Sequence, residues 1–120
     1  MDVKNLFSME GKKGFITGGA QGIGKTIAQA FAELGADVAI VDMNIEKAQH
    51  TAQELARATD RQVIAYACNV ADPASVAQMI AQYERDFTTI NYAINNAGIF
   101  TGDPAIDITP PAFESVIDVN

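Results

Sequence analysis

The sequence predicts an α/β fold, a parallel sheet covered by helices on both faces. Three observations predict it. Short apolar runs alternate with longer amphipathic ones along the 120 residues. Glycine is concentrated between Gly11 and Gly24, where the first short run gives way to the first long one. The balance of 48% apolar and 19% charged residues is that of a globular chain with one core. Strands joined through helices run parallel, because each crossover returns the chain to the same end of the sheet.

Residues 13–17 hold Phe15 and Ile16 and read as the first strand. Residues 22–34 place Ile23, Ile27, Phe31 and Leu34 on one helical stripe, with Gly35 as the stop. Residues 37–41 form a compact apolar strand. Asn44 is positioned to cap a helix whose stripe is Ile45, Ala48, Ala52 and Leu55. Residues 62–67 read as the third strand. Asp72 before Pro73 marks a helix start, a capping carboxylate followed by proline in the first turn. That helix is expected to bury Val76, Met79, Ile80, Tyr83 and Phe87. Residues 90–94 read as the fourth strand, and Thr109 and Pro110 open a last helix carrying Phe113, Val116 and Ile117. There is no internal repeat, low-complexity stretch or dividing linker.

The totals exclude several classes of function. A net charge of −7 argues against nucleic acid, whose binding needs a basic face. The single cysteine, Cys68, permits no internal disulfide and suits a reducing compartment. No run approaches the roughly 18 apolar residues of a membrane span, and none at the N-terminus has signal-peptide length. The expectation is a cytoplasmic protein with no membrane and no nucleic-acid partner. One histidine, His50, and one cysteine do not make a metal site. His50 reads as a solvated helix residue and Cys68 as a small buried hydrophobe.

The most informative segment is Thr17-Gly18-Gly19-Ala20-Gln21-Gly22-Ile23-Gly24, which leaves the first strand and opens the first helix. Gly18 allows a sharp turn, Gly22 clears the way for a pyrophosphate to approach the backbone, and Gly24 lets helix and strand sit close. The helix start offers free N–H groups and partial positive charge to phosphates. Asp42, at the end of the second strand, can accept both ribose hydroxyls of an adenosine and repel the 2′-phosphate of NADP. Gln21 and Met43 are uncharged, so no arginine or lysine is expected to meet that phosphate. Residues 19–26 also match the P-loop pattern formally, ending in Lys25 and Thr26. A P-loop leaves Asp42 and Asn95-Asn96-Ala97-Gly98 unexplained, so the match is read as coincidence.

The glycine spacing of four then two, with Asn95-Asn96-Ala97-Gly98 after the fourth strand, resembles the short-chain dehydrogenase/reductase family over residues 7–120. The resemblance implies a Rossmann-type doubly wound parallel sheet, truncated after about four strands, with residues 1–120 as the NAD-binding portion. It implies that Gly18, Gly22, Ile23 and Gly24 form the pyrophosphate loop and that Asp42 marks NAD preference. It places Asn69 and Val70 about the adenine, although the family has aspartate where this chain has Asn69. Asn96, Ala97 and Gly98 would line the cofactor cleft, and Asn120 would be the asparagine of an Asn-Ser-Tyr-Lys tetrad.

The rest of that tetrad is not found. The family's tyrosine is followed four residues later by lysine, which lowers the phenol's pKa. Here Tyr66 is followed at that distance by Val70, Tyr83 by Phe87 and Tyr92 by Asn96. Ser8, Ser75 and Ser115 stand outside the expected place. The catalytic C-terminal half is therefore expected to be absent from this chain, which alone would be inactive and a poor folder. The implied parent is a homo-oligomeric oxidoreductase passing hydride between NAD(H) and an alcohol or carbonyl, with a polyol or sugar as the guessed substrate. The alternatives are a dinucleotide-binding fragment without turnover and, behind it, a P-loop nucleotide hydrolase.

Overall fold

The computed structural model describes residues 2–98, together with Pro111 and Asp118. Phe113, Val116 and Ile117 of the expected last helix lie outside the described residues, as does Asn120. A short helix α1 (Val3–Leu6), not foreseen from the sequence, precedes strand β1 (Lys13–Thr17). Helix α2 (Gly22–Glu33), strand β2 (Asp37–Asp42), helix α3 (Ile45–Thr59), strand β3 (Val63–Ala67), helix α4 (Pro73–Phe87) and strand β4 (Tyr92–Asn95) follow.

All pairings are parallel and the strand order is β3-β2-β1-β4. The chain steps outward from β1 to β2 and β3, then crosses to the other side of β1. The period of two divides the buried residues between two faces. Ile16, Val38 and Ile40 pack with Ala28 and Ala32 of α2 and Ala48, Ala52 and Leu55 of α3. Phe15, Ala39, Val41 and Tyr66 pack with Met79, Tyr83 and Phe87 of α4. The fold is thus a Rossmann-type doubly wound sheet. Phe87, Ile16 and Ile40 are fully buried, each contributing about 1.5–3 kcal/mol of transfer free energy.

The helix starts follow their capping chemistry. Asn44 accepts from the Lys47 N–H and Asp72 from the Ala74 N–H, with Pro73 in the first turn of α4. Helix α2 ends at Leu34 and Gly35, whose φ of 106° suits glycine. A Cβ at Gly35 would stand 3.1 Å from the Cα of Glu10.

Two expectations are corrected. The buried face of α2 is not the stripe of large residues but Gly24, Ala28 and Ala32. Ile23 is 74% exposed and Leu34 41% exposed, while Ile27 and Phe31 are half-buried flanks. The helix lies so close to the sheet that only small side chains fit beneath it. The fourth strand begins at Tyr92 rather than at 90, because its register pairs Tyr92 with Gly14. Ile90 is exposed, and Asn91 joins the sheet through its N–H to the Lys13 carbonyl and through its Oδ1, which accepts from the Lys13 N–H.

Candidate functional site

The carboxyl ends of the four strands meet in a cleft of about 310 Å³. Gly18 and Gln21 line it after β1, and Val41, Asp42 and Met43 at the end of β2. Cys68 and Val70 line it after β3, and Asn96, Ala97 and Gly98 after β4. This lies across the point where the strand order reverses, the usual ligand crevice of an open parallel sheet.

The glycine loop is shaped by its neighbours. Gly18 turns at φ 67°, and its N–H donates to the Val41 carbonyl at 2.7 Å. A Cβ at Gly18 would meet the Ala97 Cα at 3.0 Å. At Gly24 it would stand 2.2 Å from the Gly18 carbonyl oxygen and 2.6 Å from Asn96 Nδ2. Gly22 differs: its φ is 59°, and a Cβ there would find nothing within 4 Å. The space over Gly22 is therefore open, while that beside Gly24 is filled by protein.

Helix α2 also begins differently from α3 and α4. Its N-cap, Gln21, makes no side-chain capping bond. The first amides of α2 are thus left with their dipole end free for an anion. The uncapped start, the open space at Gly22 and the adjoining cleft fit a bound dinucleotide.

Asp42 ties the walls together. Its Oδ2 accepts from the Ala20 N–H at 3.2 Å and its Oδ1 from the Asn44 N–H at 3.0 Å. Each oxygen keeps further lone-pair capacity. The loop is anchored again by the buried Thr51 hydroxyl, which donates to the Ala20 carbonyl at 2.7 Å.

Across the cleft, the buried Thr17 hydroxyl accepts from the N–H groups of Asn96 and Ala97, both at 3.0 Å, and donates to the Ile94 carbonyl at 3.4 Å. Asn96 Nδ2 donates to the Gly18 carbonyl at 3.2 Å. The turn after β4 is thereby pinned to the turn after β1.

Of the residues expected from the sequence, Gly18, Asp42, Val70, Asn96, Ala97 and Gly98 come together in the cleft lining. Gly22, Ile23 and Gly24 form the adjoining start of α2. Asn69 does not line the cleft; its Oδ1 accepts from the Ala71 N–H at 3.0 Å, and its own N–H donates to Ser75 Oγ. Sequence reasoning missed Thr17, Thr51 and the lining role of Cys68.

It also missed a lysine. Lys47 Nζ donates to Gln21 Oε1 at 2.5 Å, so a lysine stands beside a loop residue that the sequence offers only as uncharged. The two residues are separated by 26 positions, and only the fold brings them together.

The P-loop match has no support in the geometry. Lys25 pairs with Glu54 of α3 at 3.4 Å, and the Thr26 hydroxyl donates back to the Gly22 carbonyl.

None of the three tyrosines is a proton donor for the cleft. Tyr92 donates to the Asp37 carbonyl at the amino end of β2, Tyr83 to the Thr89 carbonyl and Tyr66 to Asp86. Burial pushes all three phenols up, with the Asp86 hydrogen bond adding to the effect at Tyr66. They therefore stay protonated.

The family model for short chain dehydrogenases matches residues 12–120. A sorbose reductase of Candida albicans is 43% identical over 108 residues, 89% of this chain and 38% of that protein. The crystal structure of a short-chain type dehydrogenase/reductase from Mycobacterium marinum superposes with a TM-score of 0.93 at 34% identity. The match covers 99% of this chain and 48% of that one. An NADPH-dependent 3-quinuclidinone reductase from Rhodotorula rubra gives a TM-score of 0.89 at 37% identity, covering 99% of this chain and 45% of that one. The chain spans less than half the length of each of these proteins.

Proposed function

The chain belongs to the short-chain dehydrogenase family, and from that premise we propose that it is the dinucleotide-holding part of an oxidoreductase. The reaction is hydride transfer between NAD(H) and an alcohol or carbonyl compound, with a polyol or sugar as substrate. The sugar reading is supported by likeness to a sorbose reductase.

The observation that carries the proposal is the hydrogen bond from the Ala20 N–H to Asp42. It makes the glycine loop and the acid of β2 one wall of one cleft. The amides at the start of α2 and the bare Gly22 hold the pyrophosphate. The lone pairs left on Asp42 accept the ribose hydroxyls, and Val41, Cys68 and Val70 offer an apolar slot for the adenine. Asn96, Ala97 and Gly98 line the far side. The bound dinucleotide supplies the hydride acceptor or donor. The accompanying proton falls to an Asn-Ser-Tyr-Lys tetrad, of which this chain provides Asn120.

Asp42 sets the choice of NAD over NADP. A carboxylate near a 2′-phosphate costs on the order of 2–3 kcal/mol at an effective dielectric of about 20, or roughly a hundredfold in affinity. Titration with NADH and NADPH, followed by nicotinamide fluorescence, tests both parts. NADH is expected to bind more tightly, with the gap narrowing in Asp42→Ala. Equal affinities in the parent chain would defeat the specificity claim, and no binding of either would defeat the proposal.

A further inference from the structure

We propose that Lys47 is the residue through which this chain admits a 2′-phosphorylated dinucleotide, so that rejection of NADP(H) by Asp42 is only partial. The inference rests on the reading of the cleft given above.

Lys47 lies in the first turn of α3, and its own N–H is held by Asn44 Oδ1 at 3.1 Å. The backbone under the side chain is therefore fixed. The exposed side chain bonds Gln21 Oε1, and Gln21 lines the cleft with Asp42. The ammonium thus bridges the glycine loop and α3 at the rim where Asp42 receives the ribose.

The partners of the cations set this lysine apart. Lys25 is matched by Glu54, Arg61 by Asp37, and Lys13 donates to the Phe87 carbonyl below the sheet. Among the described residues, Lys47 is the cation that hydrogen-bonds a residue of the cleft lining. Its partner there is a neutral amide, so its charge is not cancelled by that bond. Exchanging an amide oxygen for a phosphate oxygen keeps one hydrogen bond and adds the attraction of opposite charges. Gln21 also has both Nε2–H donors to offer the same phosphate. The attraction acts at an exposed site, in nearly aqueous dielectric, so it offsets part of the repulsion from Asp42 and not all of it.

The test is titration of the 120-residue chain and its Lys47→Ala and Lys47→Arg variants with NADH and NADPH at low and high salt. The readout is the ratio of the two dissociation constants. Lys47→Ala is expected to raise the NADPH-to-NADH ratio about tenfold at low salt. Lys47→Arg should return most of that loss, because the cation is kept. Added salt should raise the ratio in the parent more than in Lys47→Ala. An unchanged ratio in Lys47→Ala would overturn the inference while leaving the cleft's function intact. A proportional weakening of both ligands would overturn it too, and would mean that Lys47 only steadies Gln21. Failure of the parent to bind either ligand would remove the reading of the cleft, and this inference with it.

Discussion

Gly24→Ala and Gly22→Ala should separate stability from binding, although the two glycines are two residues apart in one loop. At Gly24 the added methyl would stand 2.2 Å from the Gly18 carbonyl oxygen and 2.6 Å from Asn96 Nδ2. The first is backbone, the second ends the Asn96 side chain that is bonded to that same carbonyl, and Ala28 and Ala32 are buried along the same helix. The start of α2 must move outward. Overpacking of this kind costs about 1–3 kcal/mol. Displacing Asn96 from the Gly18 carbonyl adds about 0.5–1.5 kcal/mol, while alanine's better helix propensity returns about 1 kcal/mol. The net loss is about 1–3 kcal/mol, or roughly 5–20 °C in Tm for a unit of this size. At Gly22 nothing lies within 4 Å of the new methyl, and the φ of 59° costs an alanine about 1–2 kcal/mol. That methyl projects into the space assigned to the pyrophosphate. Urea unfolding followed by circular dichroism, with NADH titration of each variant, checks both. Gly22→Ala is expected to stay folded and lose NADH, and Gly24→Ala to be the less stable. A Gly24→Ala variant as stable as the parent, or a Gly22→Ala variant that is folded and binds NADH normally, would refute the reasoning.

Thr17→Val keeps the shape of the side chain but leaves the N–H groups of Asn96 and Ala97 without their acceptor. It should cost about 2–4 kcal/mol and weaken NADH binding together, and chemical denaturation with unchanged midpoint would count against it. Stability should fall in alkali: the raised phenols of Tyr66, Tyr83 and Tyr92 favour the folded state fully below the ordinary tyrosine value of 10.0, and that contribution is lost as pH climbs beyond it. Tyr66→Phe should blunt the alkaline loss in a series of pH-dependent melts, and an identical slope would contradict the assignment. The 120-residue chain should bind NADH without oxidising or reducing a panel of polyols, alcohols and ketones, since its three phenols are engaged away from the cleft. A steady turnover that disappears in Gly22→Asp would disprove this.

Much of the architecture was legible because the decisive signals are local. A capping side chain acts within three residues, which is why Asn44 and Asp72 mark their helices correctly. The unbroken apolar run of β2, buried on both faces of the sheet, needs only its own six residues. The face of α2 was misread for a physical reason. Hydrophobic periodicity follows the largest apolar side chains, and it selects Ile23, Ile27, Phe31 and Leu34. The helix is instead drawn down onto the sheet by the turn at Gly18, and the contact is made by Gly24, Ala28 and Ala32. The start of β4 was misplaced because Ile90 continues the apolar run, whereas pairing is set by Gly14, whose missing side chain leaves room for Tyr92. Lys47 and Thr17 were invisible because their partners are 26 and about 80 residues away.

The same contacts build the site and the core, and this limits how far either can vary alone. Gly18 turns the chain after β1, offers its carbonyl to Asn96 and closes off the space at Gly24. The approach of α2 thus sets both the packing of Ala28 and Ala32 and the direction in which the uncapped amides point. A larger residue at Gly24 would tilt the helix, and the amides would swing with it. The specificity rim is built differently. Asp42 is fixed by two backbone N–H groups, while Lys47 and Gln21 are exposed side chains held mainly by each other. Changes at Lys47 therefore cost little folding energy. On the proposed reading, where a dinucleotide binds is tied to the core, while its 2′ position meets both the backbone-held Asp42 and a surface pair that can be altered without disturbing the sheet.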